Sequence, residues 1–255
     1  MPGEFCARRD AENLMTGPHS PKNAATVILL RSGASGGVEV FLTRRPERMD
    51  FLGGAYVFPG GSIGKEDCSE RTLKRCSGLS REEARRILGA HLTPVFALGH
   101  WVAGIRELFE EVGVLLCVTE EGRPLDLKES ARREQLEHKR RRMIQEEISF
   151  RELLESERLC CDASRLLYFS HWLTPEEFAV RFDTRFFLAV LPPDQAPLES
   201  SEEVAHGLWV TPERAMQLYA QGNLPMIFPT YASLRTLADF DSVESLVSEY
   251  RKATL

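Results

Sequence analysis

Residues 106–114, with the sequence RELFEEVGV, constrain the fold of this chain more than any other stretch. They lack proline and their apolar residues recur with helical spacing, so we expect a helix. At about 100° per residue, Glu107, Glu110 and Glu111 then fall within about a quarter of the circumference. The opposite arc carries Trp101, Ile105, Leu108, Phe109 and Val112. The helix should therefore pack into a core on one side and present negative charge on the other.

Two interpretations of these carboxylates stay open on this stretch alone. Like charges at i, i+3 and i+4 repel by about 0.3 kcal/mol for each close pair, so a purely structural role requires full solvation. A functional role would use them as a ligand set, because carboxylate oxygens are the ligands that hard divalent cations such as Mg²⁺ prefer. The neighbouring sequence has to decide between the two.

The composition excludes several classes of protein. Of the 255 residues, 43% are hydrophobic and 27% are charged, and no apolar run approaches the ~20 residues of a membrane span. The net charge of -6 offers no general attraction for nucleic acid, which binds clustered Lys and Arg.

The cysteines include no C-x-x-C pair, which predicts reduced thiols in a cytosol-like compartment and no zinc site. Residues 1–21 lack the apolar segment of a signal peptide, and we expect a flexible tail.

The rest of the chain mixes strands and helices without the regular βαβ repeat of a doubly wound sheet. Runs rich in β-forming residues predict strands at 26–31, 38–43, 166–173, 185–191 and 207–210, of which the first two form a hairpin. Capping signals predict helices at 81–88, from Pro94 onward, and at 212–221, 231–239 and 243–252. Residues 128–157 are typical of a solvated pair of helices with mixed charge. The pattern indicates an α/β fold in a single domain over residues 22–255.

A glycine-rich segment, residues 51–61 (FLGGAYVFPGG), precedes the carboxylate helix. We expect a short strand that runs into a loop, where the backbone N–H groups of Gly60 and Gly61 can approach an anion. The alternative is a plain turn, which is the commoner role for Gly and Pro after a strand.

Together these features resemble the Nudix box, whose pattern is G-x5-E-x7-R-E-U-x-E-E-x-G-U with U aliphatic. Gly61, Asp67 and residues 106–114 match it with two departures. Asp67 stands where the pattern has Glu, and the spacer before Arg106 is far longer than in the pattern. An insertion is therefore expected at about residues 68–93, and another at about 128–160. The split box is similar to that of the peroxisomal coenzyme A diphosphatase branch of the Nudix superfamily.

The resemblance implies a Nudix fold, with a mixed sheet between helices, and hydrolysis of a diphosphate joined to a second moiety. It implies Mg²⁺ or Mn²⁺ held by Glu107, Glu110 and Glu111, with Arg106 orienting a carboxylate. A general base often lies outside the box in this superfamily. The candidates are Glu199, Glu202 and Glu203, of which we favour Glu202, and the alternative for each is an exposed acidic loop.

Residues 42–61 partly resemble the motif L-L-T-x-R-S-x3-R-x3-G-x3-F-P-G-G of coenzyme A pyrophosphatases. Arg45 is retained as a candidate phosphate contact, whereas Pro46 replaces Ser and Asp50 replaces the second Arg. The lost cation would weaken recognition of the 3′-phosphate of coenzyme A, and Arg44 or Arg48 could replace it. The resemblance thus implies a small-molecule nucleotide substrate, coenzyme A or acyl-coenzyme A, cleaved to 3′,5′-ADP and a phosphopantetheine.

Other substrates and one other role stay open. The chain lacks the S-Q-P-W-P-F-P-x-S run of NADH diphosphatases and the downstream proline of ADP-ribose hydrolases. A catalytically silent nucleotide sensor is the alternative from a different class, and the intact Glu107, Glu110 and Glu111 argue against it. Residues 253–255 (ATL) are a poor S-K-L-type peroxisomal address, so the cytoplasm is the expected location. A homodimer is an open option for the assembly.

Overall fold

The computed structural model describes residues 20–34, 36–49, 52–201 and 204–254, so most of the expected N-terminal tail lies outside the described residues. The strands, in chain order, are β1 (Lys22–Ser32), β2 (Val38–Arg44), β3 (Tyr56–Val57), β4 (Gly60–Ser62), β5 (Cys76–Ser77), β6 (Cys117–Thr119), β7 (Leu159–Asp162), β8 (Leu167–Leu173), β9 (Phe182–Val190) and β10 (His206–Val210). The helices are α1 (Glu70–Leu73), α2 (Arg81–Leu88), α3 (Pro94–Val112), α4 (Ser130–Ile144), α5 (Phe150–Glu157), α6 (Pro212–Ala220), α7 (Phe228–Leu237) and α8 (Val243–Thr254).

A seven-stranded mixed sheet forms the centre of the fold. Its order is β10-β2-β1-β9-β8, with β3 paired to β2 and β4 paired to β1. Strands β1 and β2 form the predicted antiparallel hairpin, whereas β1 and β9 run parallel from the Lys22↔Phe182 pair to the Leu30↔Val190 pair. The mixed sheet expected from the resemblance is therefore confirmed.

Helices cover both faces of this sheet, as expected. Because successive side chains of a strand point to opposite faces, Val27 and Ile28 of β1 enter different cores. Val27 joins the core beneath α3, and Ile28 joins the core that contains residues of α6, α7 and α8. None of the described helices is long and apolar enough to cross a membrane.

A second sheet of three short strands has the order β5-β7-β6, and the sequence does not predict it. Its β5 lies in the first expected insertion and its β7 lies at the end of the second. Cys76 and Cys117 both pair with Cys161 at its centre. Strands of two to four residues are too short to show periodicity, so only long-range pairing defines them.

The helix pair predicted between residues 128 and 157 is confirmed as α4 and α5, but the expectation of full solvation is wrong. Arg140 and Glu157 are buried, with exposed fractions of 5% and 8%. Glu157 of α5 pairs with Arg132 and Lys139 of α4. The charge pattern of each helix taken alone cannot show pairs that form between helices.

Candidate active site

The apolar side of helix α3 is fixed in the core, as the sequence predicts. Trp101, Ile105, Leu108, Phe109 and Val112 are all buried. The Trp101 indole N–H donates to the carbonyl of Leu166 at 3.0 Å, and the ring packs at 4.8 Å from the Phe187 ring. The helix therefore presents its other side in a set orientation.

At the polar side of α3 three carboxylates bind one guanidinium, and a fourth, that of Glu111, accepts the N–H of Gly60. We call Asp67, Arg106, Glu107, Glu110 and Glu111 the carboxylate cluster. Arg106 Nη1 donates to Glu107 Oε1 at 2.8 Å and to Glu110 Oε2 at 2.7 Å. Its Nε and Nη2 form a bidentate pair with Asp67 at 2.8 and 2.9 Å. Arg106 thus orients three carboxylates at once, more than the single one expected from the sequence.

Asp67 reaches this cluster across the insertion. It lies in the 3-10 turn Glu66–Cys68 with an exposed fraction of 3%, and its second oxygen also accepts the backbone N–H of Gly64 at 2.7 Å. Asp67 and Arg106 meet although they are 39 residues apart. The structure therefore brings the two halves of the split box into contact. Asp67, which stands where the pattern has Glu, binds Arg106 on the far side of the lengthened spacer.

Gly60 and Gly61 lie directly against the carboxylates. They belong to β4 and pair with Thr26 and Ala25 of β1, so the predicted loop is a strand at these positions. The N–H of Gly60 faces Glu111 Oε2 at 3.3 Å, so the anion that it meets belongs to the protein itself. A Cβ at Gly61 would lie 2.5 Å from the Glu107 carboxylate. A side chain at Gly61 would therefore displace the Glu107 carboxylate from its place beside the strand.

Burial and the neighbouring opposite charges shift the pKa values of the cluster in opposite directions. Burial raises the pKa of Glu107 to about 7, because the Arg106 charge offsets only part of the desolvation and Glu110 adds repulsion. Burial would lower the pKa of Arg106, but the charges of Asp67, Glu107 and Glu110 reverse this effect and raise it. One cation therefore does not compensate the carboxylates around it.

The donor set fits a hard divalent cation in kind and in charge. Its ligands would be oxygens of Glu107, Glu110 and Glu111, and an added cation would relieve the excess negative charge. Arg106 engages one oxygen of Glu107 and one of Glu110. Within the described ranges, no three acidic, His or Cys side chains already form a cage for a metal. Cation binding would therefore have to compete with Arg106 for these carboxylates.

The end of helix α3 is held by residues that the sequence does not single out. Gly113 closes the helix in the left-handed region at φ 74. Arg140 Nη1 donates to the Glu110 carbonyl at 2.6 Å, and Ser201 Oγ donates to the Glu111 carbonyl at 3.0 Å. These contacts satisfy carbonyls that have no partner within the helix. Spacing along the chain offers no signal for them, because both residues belong to distant segments.

Two further predicted site residues, Arg45 and Glu199, lie outside the cluster. Arg45 follows β2, where its backbone N–H donates to Ala55 at 3.0 Å and its carbonyl accepts from Gly54. Glu199 is exposed, and its carbonyl accepts the N–H of Gly207 at 2.6 Å. Glu202 and Glu203 lie outside the described residues.

A cavity of about 280 Å³ opens beside the cluster. Arg106 and Glu110 line one side, and Met143, Phe150 and Arg151 of α4 and α5 line the other. The second insertion therefore forms a wall of the site, although its sequence shows only mixed charge.

Known proteins share this chain's fold and sequence pattern. A family profile described as the NUDT19 Nudix domain matches residues 21–237. The acyl-coenzyme A diphosphatase NUDT19 of Xenopus laevis is 28% identical over 237 residues, which cover 82% of this chain and 62% of that protein. The acyl-coenzyme A diphosphatase NUDT19 of Gallus gallus is 28% identical over 265 residues, which cover 87% of this chain and 69% of that protein. The chain thus spans about two thirds of each relative.

One solved structure is similar over nearly the full chain. The NUDIX hydrolase from Alicyclobacillus acidocaldarius matches with a TM-score of 0.73 and 27% identity, covering 91% of this chain and 97% of that one. The arrangement of the mixed sheet and its helices is therefore that of a known Nudix structure.

Proposed function

The chain belongs to the NUDT19 Nudix domain family, and from this membership and the carboxylate cluster we propose that it is a metal-dependent diphosphatase. Its substrate is coenzyme A or an acyl-coenzyme A, which water cleaves at the diphosphate to 3′,5′-ADP and a phosphopantetheine. The substrate class follows from the names of the two relatives. Because the chain spans only 62% of the Xenopus protein, this activity is a proposal.

The observation that carries the proposal is the binding of three carboxylates by Arg106, with a fourth, that of Glu111, on the same helix. Such a group is costly to bury unless a further cation offsets it. Mg²⁺ or Mn²⁺ bound there would neutralise the diphosphate and lower the pKa of the attacking water. Glu107, Glu110 and Glu111 hold the metal in this proposal, and Arg106 is a positioning residue that sets their rotamers.

The proposed general base is Glu202. Support comes from its neighbour Ser201, whose hydroxyl donates to the Glu111 carbonyl at 3.0 Å. Ser201 also donates its N–H to the Val204 carbonyl at 2.9 Å. The residues on both sides of 202 and 203 are thus anchored close to the metal-binding helix, which suits a base acting from outside the box.

Substrate binding is assigned to Arg45 together with the backbone of Gly60 and Gly61, and the N–H of Gly60 would have to leave Glu111 to reach a phosphate. Arg45 is a candidate phosphate contact because a guanidinium can bind phosphate through two parallel hydrogen bonds. The cytoplasm is part of the proposal as well. It is supported by the thiols of Cys76, Cys117, Cys160 and Cys161, none of which forms a disulfide among the described residues.

A substrate panel tests the proposal. Coenzyme A, an acyl-coenzyme A, ADP-ribose, NADH and a dinucleoside polyphosphate are each incubated with Mg²⁺ or Mn²⁺ and with chelator. We expect metal-dependent hydrolysis with preference for the coenzyme A compounds, and a loss of about 100-fold or more in Glu110→Gln.

The matched control is Glu213→Gln, which removes an exposed carboxylate in the first turn of α6 and should leave the rate unchanged. Absence of turnover, or full activity in Glu110→Gln, contradicts the proposal. Tight binding of a nucleotide without turnover would instead favour the sensor alternative.

A further inference from the structure

A larger cavity, of about 510 Å³, lies on the insertion side of the molecule. Four cations line it, together with two carboxylates and a cysteine: Arg71, Lys74, Arg75, Arg151, Glu120, Glu155 and Cys160. We call it the cation-lined cavity. None of these side chains belongs to the carboxylate cluster, and nothing in the proposed hydrolysis uses them.

Two of the four cations already have partners. Arg75 pairs with Glu120, and Arg151 pairs with Glu155 at 2.7 Å and with Glu66 at 2.9 Å. These pairs compensate the charge of both guanidinium groups and of the carboxylates in the wall. Arg75 and Arg151 therefore help to hold the walls of the cavity in place, but they do not give it an excess of positive charge.

The surplus comes from Arg71 and Lys74. Both are exposed, and neither forms an ion pair with any residue that the structure describes. Two like charges beside one cavity repel each other, and they do so in a chain whose net charge is -6. The positive potential here is thus a local feature and not a property of the whole surface.

The chemistry of the cavity selects its ligand. A phosphomonoester carries close to two negative charges at neutral pH, which match the two uncompensated cations. Guanidinium groups bind phosphate through paired hydrogen bonds, and lysine adds a point charge. A volume of about 510 Å³ is larger than one phosphate requires and leaves room for the group to which it is esterified.

We propose that the cation-lined cavity binds a phosphomonoester. Its source is either the 3′-phosphate of the substrate itself or a separate small phosphate ligand. Arg151 borders both this cavity and the smaller one that contains Arg106 and Glu110, so the two cavities adjoin. For a 3′-phosphate bound here, Arg71 and Lys74 would replace the cation that the upstream motif lacks at Asp50. Only this substrate version rests on the proposed function.

Calorimetric titration with inorganic phosphate at constant ionic strength tests the site. We expect the wild-type protein to bind phosphate and the double variant Arg71→Ala/Lys74→Ala to bind it about tenfold or more weakly. The matched control is Arg251→Ala/Lys252→Ala, which removes one exposed Arg and one exposed Lys from α8. It should bind like wild type. Equal binding by all three proteins, or none by wild type, overturns the proposal.

The source is then identified by the kcat/KM values for coenzyme A and for 3′-dephospho-coenzyme A. If the substrate's phosphate occupies the cavity, the preference for coenzyme A falls about tenfold in the double variant and the dephospho compound is unaffected. If the preference is unchanged while phosphate binding is lost, the ligand is a separate phosphate compound. Failure of wild type to hydrolyse either compound defeats the proposed function alone, because the calorimetric result is independent of it.

Discussion

Glu66 and Asp67 are adjacent carboxylates that pair with cations of two different electrostatic regions. Asp67 is almost fully buried and binds Arg106 in the carboxylate cluster. The Glu66 side chain is 45% exposed and binds Arg151, which also lines the cation-lined cavity. In the cluster the anions outnumber the cations and Asp67 and Glu111 are buried, whereas in the cavity the cations outnumber the anions and Arg71 and Lys74 are exposed. The comparison teaches that burial, more than charge itself, decides how much each ion pair contributes.

The largest expected effect is that of Asp67→Asn. Removing one partner from a buried ion pair costs about 3–5 kcal/mol, and the lower end applies because Arg106 keeps Glu107 and Glu110. We expect the free energy of unfolding, measured by urea denaturation, to fall by about 3 kcal/mol. A loss below about 1 kcal/mol would show that the buried pair contributes no more than a surface pair.

Arg140→Met should give the next largest effect. Arg140 is buried, binds Glu137 through two hydrogen bonds and donates to the Glu110 carbonyl. Its loss should cost about 2–3 kcal/mol, the range for hydrogen bonds of charged groups. The control is Arg141→Met, one residue along, which also pairs with Glu137 but is 69% exposed. Equal unfolding free energies for the two variants would contradict the claim that burial makes the contacts of Arg140 more stabilising than those of Arg141.

The buried side of α3 predicts a dependence of stability on pH. Burial lowers the pKa of His100 from 6.5 to about 4. As the pH falls below about 6.5 the unfolded chain takes up a proton that the folded protein excludes until about pH 4. The contribution of His100 to the free energy of unfolding should therefore fall by about 2 kcal/mol between about pH 7.5 and about pH 5. Glu107, whose pKa is raised to about 7, contributes in the opposite direction over the same range, because the folded protein takes up its proton first.

Urea denaturation of wild type and of His100→Gln at several pH values measures this contribution as the difference between the two proteins. That difference should change by about 2 kcal/mol between about pH 7.5 and about pH 5, while the difference between wild type and His138→Gln, on the exposed face of α4, should stay constant. A difference for His100→Gln that does not vary with pH would contradict the prediction.

The smallest expected effect is that of Glu66→Gln. The Glu66–Arg151 pair is partly exposed and Arg151 keeps Glu155, so the loss should stay below about 1 kcal/mol. The urea midpoint of this variant, set beside that of Asp67→Asn, sharpens the comparison within two neighbouring residues. Similar losses for the two would refute the contrast between the regions.

Local signals explain how much of the fold the sequence predicts. Helix α2 is found at the predicted residues because Ser80 and Glu83 form a capping box, which is encoded within four positions. Helix α7 begins at Phe228, three residues before the prediction, since its N-cap Ile227 makes no side-chain capping bond. Strand β9 begins at Phe182, before the predicted residue 185, because pairing with Lys22 and Asn23 of β1 extends it. Partners distant in sequence supply what local patterns lack.

The sequence likewise predicts the part of the candidate site that lies within one helix and not the part that distant segments form. The spacing of Glu107, Glu110 and Glu111 on one helix places them together, and the structure does so. The bidentate contact of Asp67 with Arg106, the support from Arg140 and the grouping of Arg71 with Arg151 depend on tertiary packing. The residues of such groups are tens of positions apart. No helical or strand period can therefore indicate them.

The ion pair between Asp67 and Arg106 also has a consequence for how this chain can change. It joins two residues that are 39 positions apart, on either side of the inserted segment. The entropy of closing a loop grows only with the logarithm of its length, so doubling that length would cost about 0.6 kcal/mol. We therefore expect that changes in the length of exposed parts of the inserted segment leave helix α3 in position. The inserted segment is thus a suitable place for an engineer to graft a new recognition surface.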